Sequence, residues 1–175
     1  MDSHFDLVMQ RRALLSSQGA APRRYFAYST VLDRSAFEGW REEHGYGFFD
    51  LPEGTVAEAL DLDLVYDFPS RFWGGRVAGL VDRPGLAVFG RLFEIAGVDW
   101  PIVQHKEGEI TAMCVERPVR VRAAGAVVEA TAFTTRPERA STDGPVSARF
   151  VEALVRGARA AGLPASYLDR LGRAA

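Results

Sequence analysis

A short run in the first half of the chain constrains the fold more than any other feature. Leu60, Leu62, Leu64, Tyr66 and Phe68 alternate with Asp61, Asp63, Val65 and Asp67. Successive side chains of a strand point to opposite faces, so this period of two marks a half-buried strand. Other segments carry the same signal. Tyr25 to Tyr28 is a compact aromatic run suited to a short first strand. Arg76 to Val81 and Leu86 to Ile95 read as strands separated by a turn at Arg83-Pro84-Gly85, after a loop over Pro69 to Gly75. In the strand from Met113 to Arg122, Val115, Arg117, Val119 and Val121 share one face and Glu116, Arg120 and Arg122 the other. Pro118 cannot donate to a ladder, so it points to an edge or a bulge. Gly125 turns the chain into a returning strand, Ala126 to Thr135, and Arg136 to Asp143 is a polar loop.

Helices are fewer. Asp33 or Ser35 can cap a helix reaching about His44, with Phe37 and Trp40 inside and Gly45 and Gly47 ending it. A second helix is expected to start at Pro145 behind Asp143 or Gly144, with Val146, Phe150, Leu154 and Ala158 at a spacing of four. Glu152 and Arg156 form an i,i+4 pair on another face, Gly162 stops this helix and Pro164 follows, and Ala165 to Leu171 adds a short helical turn. Residues 1–24 read as an extension: a helix over about 3–16 with Phe5, Val8, Met9 and Leu15 as its stripe, then a linker from Ser16 to Pro22. Residues 25–175 form the domain. Many strands without regular βαβ alternation argue for α+β with a strongly curved or barrel-like sheet.

With 175 residues, 47% of them apolar and 25% charged, the chain suits one soluble domain. A net charge of -2 gives no reason to expect nucleic acid or an acidic membrane as the partner. No apolar run approaches a membrane span, and the N-terminus, with Asp2 and Asp6, lacks the apolar core of a secretory signal. A single cysteine, Cys114, excludes an intrachain disulfide and favours a reducing cytoplasm.

Chemistry concentrates at Glu107, followed by Gly108, in the run from Val98 between two expected strands. A carboxylate held at a strand mouth beside a glycine turn can act as a general base; the alternative is an exposed turn carboxylate. His105 reads as a solvated loop histidine, or else as a group tuning Glu107. A metal site from His105, Glu107 and His44 lacks the required spacing. Cys114 reads as a buried structural thiol, Glu109 as a solvated carboxylate, and Arg149, Arg156 and Arg159 as the wet face of the long C-terminal helix. Tyr28 and Trp73 each stand between a pocket wall and an ordinary structural place.

Four segments in order resemble the γ-glutamylcyclotransferase-like (AIG2-like) family. Tyr25-Phe26-Ala27-Tyr28-Ser29-Thr30-Val31-Leu32 looks like its opening strand and substrate loop, usually Y-G-S-N-L. Ser29 stands for glycine, Thr30 for serine and Val31 for asparagine, while Tyr28 and Leu32 are retained. Trp73-Gly74-Gly75 is similar to the segment before the next strand. Pro84-Gly85, through Val88-Phe89-Gly90 and Asp99 to Glu107-Gly108, looks like the stretch bearing the catalytic glutamate. Ala158 to Pro164 with Tyr167 is close to the terminal G-A-x-x-x-G-L-P-x-x-Y.

The resemblance implies a mixed sheet closed into a small barrel with flanking helices. It implies cyclisation of a γ-glutamyl amide to 5-oxoproline with release of an amine or amino acid, Glu107 serving as acid/base. Tyr28, Ser29, Thr30, Val31, Leu32, Trp73 and Gly74 would form the substrate site. No cofactor or metal is implied. The expected partner is a small γ-glutamyl compound, with neither nucleic acid nor membrane; a homodimer stays open. The alternative is a non-catalytic ligand- or protein-binding module on the same fold.

Overall fold

A computed structural model describes residues 3–173, so the first two residues of the expected extension and the last two of the expected domain lie outside the described residues. The elements run α1 (Ser3–Ser17), β1 (Arg23–Ala27), α2 (Arg34–Glu43), β2 (Thr55–Ser70), β3 (Gly75–Ile95), α3 (Trp100–Lys106), β4 (Cys114–Ala123), β5 (Ala126–Thr135), α4 (Ala148–Ala160) and α5 (Ala165–Gly172). The strands close into a barrel in the order β1-β3-β2-β4-β5. Neighbours pair antiparallel except β1 and β5, which meet in parallel at Tyr25 and Thr131 and complete the ring. This is the expected mixed barrel with flanking helices.

Small residues let the ring close. An added Cβ at Gly90 in β3 would stand 2.1 Å from the Ala27 carbonyl oxygen of β1, so only glycine permits this strand spacing. Tyr25, Phe26, Val88, Ile95, Val121 and Phe133 are buried on the two faces of the barrel wall. Pro118 lies where β4 has run past its pairing with β2, which spans only Val121–Ala123 on β4, so its missing N–H breaks no ladder there.

Several expectations need correction. The segments 76–81 and 86–95 are parts of one strand, β3, and Arg83-Pro84-Gly85 is an outward irregularity within it. The cause is Asp61, which sits at φ 58° and whose carboxylate accepts the Gly85 N–H (3.0 Å) and pairs with Arg120 (2.6 Å). Register shifts at Asp61 and Asp67 also break the alternation of β2. Ala57, Ala59 and Leu62 are buried, while Leu60, Leu64, Tyr66 and Phe68 are only half-buried.

The long C-terminal helix begins at Ala148, after Pro145 and Val146. Arg76 donates to the Pro145 carbonyl (2.9 Å) and Ser147 to the Arg76 carbonyl (3.0 Å), so this stretch pairs with β3. Ser147 then caps α4 by accepting from the Phe150 N–H at 3.1 Å. The α2 cap is Asp33, which accepts from Ala36 at 3.1 Å.

The segment before Glu107, expected as a turn, is the helix α3, with Pro101 in its first turn. The helix α1 packs across it. Val8 is fully buried, Arg12 pairs with Asp99 at 2.7 Å, and Arg11 reaches Gln104 and Glu109, both at 3.3 Å. Glu109 is thus ion-paired. His105 is buried, not solvated: it meets the Tyr46 hydroxyl at 2.8 Å among the rings of His4, Trp40 and His44. No helix among the described residues is long and apolar enough to cross a membrane.

Candidate active site

Glu107 is positioned by two backbone events. Its N–H closes the last turn of α3 on the Val103 carbonyl at 2.9 Å. Gly108 follows at φ 81°, and its carbonyl accepts from Met113 (2.8 Å) and Cys114 (3.1 Å), which sends the chain into β4. The carboxyl group therefore leaves a helix end and projects against the barrel wall. There the Tyr25 hydroxyl donates a short hydrogen bond to it. Tyr25 itself is 1% exposed, stacked on Phe93 and edge-on to Trp100 and Phe133.

This setting is electrostatically tuned. Burial raises the Glu107 pKa above the ordinary carboxylate value, while the Tyr25 hydrogen bond and the Lys106 charge pull it partly back. Burial and the neighbouring carboxylate hold the Tyr25 phenol well above its usual range, so Tyr25 remains a donor. A carboxyl group whose pKa is raised by burial, beside a permanent donor, suits proton transfer in both directions.

Glu107 faces a cavity of about 790 Å³. Its walls come from α2 (Trp40, Glu43, His44), the β2–β3 hairpin (Phe68, Phe72, Trp73, Val77), α4 (Phe150, Arg156) and the segment after β1 (Tyr28, Ser29, Thr30). Cys114 lines it as well. Burial pushes that thiol up to about 12, so it stays protonated and is no nucleophile.

The expected substrate residues divide. Tyr28, Ser29, Thr30 and Trp73 line the cavity with Glu107. Tyr28 is also a core residue whose hydroxyl donates to the Phe133 carbonyl at 2.5 Å. Val31 and Leu32 do not line it: they form a 3-10 turn and pack into the core, 3% and 5% exposed. Gly74 is also misassigned, being an exposed turn residue at φ 70° off the cavity. Ser29 has φ -122°, outside the left-handed region that would favour the glycine found in the family. Among the described residues, no backbone hydrogen bond outside regular elements uses the N–H of Ser29 or Thr30, whereas Leu32 donates to the Ser29 carbonyl at 3.1 Å.

Two supports fix this rim. An added Cβ at Gly157 in α4 would lie 2.9 Å from the Asp33 nitrogen, so α4 presses onto the start of α2, and Arg156 pairs there with Asp33 at 3.2 Å. Trp73 donates its N–H to Ser70 (3.2 Å) and accepts from the Ser147 hydroxyl (2.7 Å), while Arg149 covers the Trp73 ring at 5.1 Å. Arg149 and Arg156 thus have structural partners at the rim. Sequence reasoning missed Tyr25, Lys106, Trp40, Met113 and Phe133 as cavity or site residues. A tyrosine in a buried strand run needs a partner for its hydroxyl, and that was the one available signal for Tyr25.

The closed mixed barrel with flanking helices is a γ-glutamylcyclotransferase-like fold. Three solved structures share it. They are an uncharacterized protein from Homo sapiens (21% identity, 88% of each chain covered, TM-score 0.74), a gamma-glutamyl cyclotransferase (20%, 88% of each, 0.71) and YkqA from Bacillus subtilis (18%, 0.73). The YkqA match covers 93% of this chain and 57% of that one. Such identities speak for the fold alone. Residues 87–171, a stretch that includes Glu107 and the terminal motif, match the model of the AIG2-like family. No curated protein sequence matches the chain. The fold family includes γ-glutamyl cyclotransferases.

Proposed function

We propose that this chain converts a γ-glutamyl amide into 5-oxoproline and a free amine or amino acid, with Glu107 as general acid/base. The observation that carries the reading is the half-buried Glu107 carboxyl group, hydrogen-bonded to Tyr25 at a cavity large enough for such a ligand, with its pKa raised.

The ionised Glu107 accepts a proton from the substrate α-ammonium. The freed nitrogen lone pair attacks the γ-carbonyl carbon and forms the ring C–N bond. The amide C–N bond then breaks as Glu107 returns the proton to the leaving nitrogen, and the ring nitrogen gives up its second proton to Glu107, which passes it to the released amine. Nucleophile and electrophile belong to one molecule, so holding it curled supplies much of the acceleration. The N–H groups of Ser29 and Thr30 are suited to the glutamyl carboxylate, and Trp73 and Phe150 to the rest of the ligand.

The test is incubation with a panel of γ-glutamyl amino acids and amines and detection of 5-oxoproline. Turnover is expected in the wild type and a loss of about 10²- to 10⁴-fold in Glu107→Gln. A wild type that binds these compounds without turning them over would establish a binding module instead.

A further inference from the structure

Among the described residues, Lys106 is a cation without an opposite charge in contact. It lines the cavity beside Glu107, and its ammonium lies 5.1 Å from the centre of the Trp40 ring. Among the described residues no carboxylate lies within 4.0 Å of it and no hydrogen bond uses it. The other guanidinium or ammonium group on the cavity wall, Arg156, is held by Asp33 at 3.2 Å. Burial lowers the Lys106 pKa, with the Glu107 charge opposing. A desolvated ammonium of this kind gains most when an anion arrives to meet it.

The geometry points to Lys106 as the residue that receives the α-carboxylate of the γ-glutamyl group. This inference rests on the proposed cyclisation. Every γ-glutamyl amide carries an α-carboxylate, whatever its leaving amine. The α-nitrogen must reach Glu107, and the α-carboxylate oxygens are bonded through the same α-carbon, within roughly 3.5 Å of that nitrogen. The anion must therefore lie close to Glu107, and Lys106 is the cavity cation adjacent to it. The N–H groups of Ser29 and Thr30 are neutral donors and orient the carboxylate; Lys106 supplies the full charge. The ring of Trp40, itself part of the cavity wall, lies against the ammonium. Lys106 is thus a positioning residue for the reaction, and it discriminates by the acid group of the substrate.

The experiment pairs the best substrate of the panel with its 4-aminobutyryl counterpart, which has the same amide but lacks the α-carboxylate and cyclises to 2-pyrrolidinone. Wild type, Lys106→Gln, Lys106→Met and Lys106→Arg are compared on both, with thermal melts to confirm folding. Loss of the ammonium should raise KM for the γ-glutamyl compound about ten- to a hundred-fold, the size of one charge-assisted hydrogen bond. Any shift of the Glu107 pKa acts on both substrates alike, so the kcat/KM ratio of the γ-glutamyl to the 4-aminobutyryl compound should fall by the same factor, and Lys106→Arg should recover part of the loss. Calorimetric binding of 5-oxoproline against 2-pyrrolidinone should show the same discrimination without turnover. An active wild type whose preference for the carboxylate survives in a folded Lys106→Gln protein overturns this inference alone. A wild type that neither turns over any γ-glutamyl compound nor binds 5-oxoproline overturns the cyclisation as well.

Discussion

The hydroxyl of Tyr25, on the strand that closes the barrel, donates to the carboxyl group of Glu107, 82 residues further along the chain. The bond couples the proton affinity of the candidate base to the position of β1.

Tyr25→Phe removes a donor to the ionised form of Glu107, and that donor now lowers the Glu107 pKa. Its removal raises the pKa further. Because attack needs ionised Glu107, the acidic limb of kcat/KM should move to higher pH in Tyr25→Phe. A pH–rate profile of both proteins checks this; a limb that stays in place or moves down would detach Tyr25 from the base.

Glu107→Gln should make the protein more stable at neutral pH. In the unfolded chain a glutamate ionises near about 4.3. In the folded chain burial raises that value, so the folded state disfavours the charged form. Wild-type stability therefore falls as pH rises from the unfolded pKa through the folded one, and the full penalty remains above it. Melting curves from pH 4 to 8 should show the advantage of Glu107→Gln growing with pH. A constant difference would mean that the carboxyl group is not desolvated.

Cys114 should resist alkylation. A free cysteine at pH 8 is partly thiolate, with a pKa of about 8.5. The Cys114 thiol, raised to about 12 by burial, is almost wholly protonated there. Iodoacetamide should modify the native protein far more slowly than glutathione, and at the ordinary rate in denaturant. Rapid native modification would show the thiol to be open and ionised.

Gly90→Ala should weaken the barrel. The new methyl would meet backbone, the Ala27 carbonyl, which cannot move without parting β1 from β3. The cost should be at least about 1–3 kcal/mol in chemical denaturation. A melt equal to that of the wild type would mean that the strands are not so close.

Local signals carried much of the architecture. The Ala126–Thr135 strand, the Asp33 cap and the Gly162–Pro164 stop all lie where the sequence placed them. What local pattern could not carry were effects set by distant partners. The start of α4 is displaced because Arg76 claims the residues after Pro145. The helix α3 has seven residues, too few for a period of 3.6 to stand out from neighbouring apolar runs. The unity of β3 depends on Asp61 taking the Gly85 N–H across the sheet. At the site, Glu107 and the cavity-lining Tyr28, Ser29, Thr30 and Trp73 were legible through the resemblance. Val31 and Leu32 were taken along because a contiguous loop motif does not reveal that a 3-10 turn directs both of these residues into the core. Tyr25 escaped notice because strand parity distinguishes core from solvent, and every residue from 25 to 28 is core.

The close seat of Gly157 on Asp33 has a consequence for how the molecule comes into being. The segment that rims the cavity, residues 28–33, is anchored by a helix more than a hundred residues downstream. A chain still on the ribosome, with α4 inside the exit tunnel, can pair its strands but cannot hold that rim. The rim is therefore complete only once α4 has emerged and docked on Asp33.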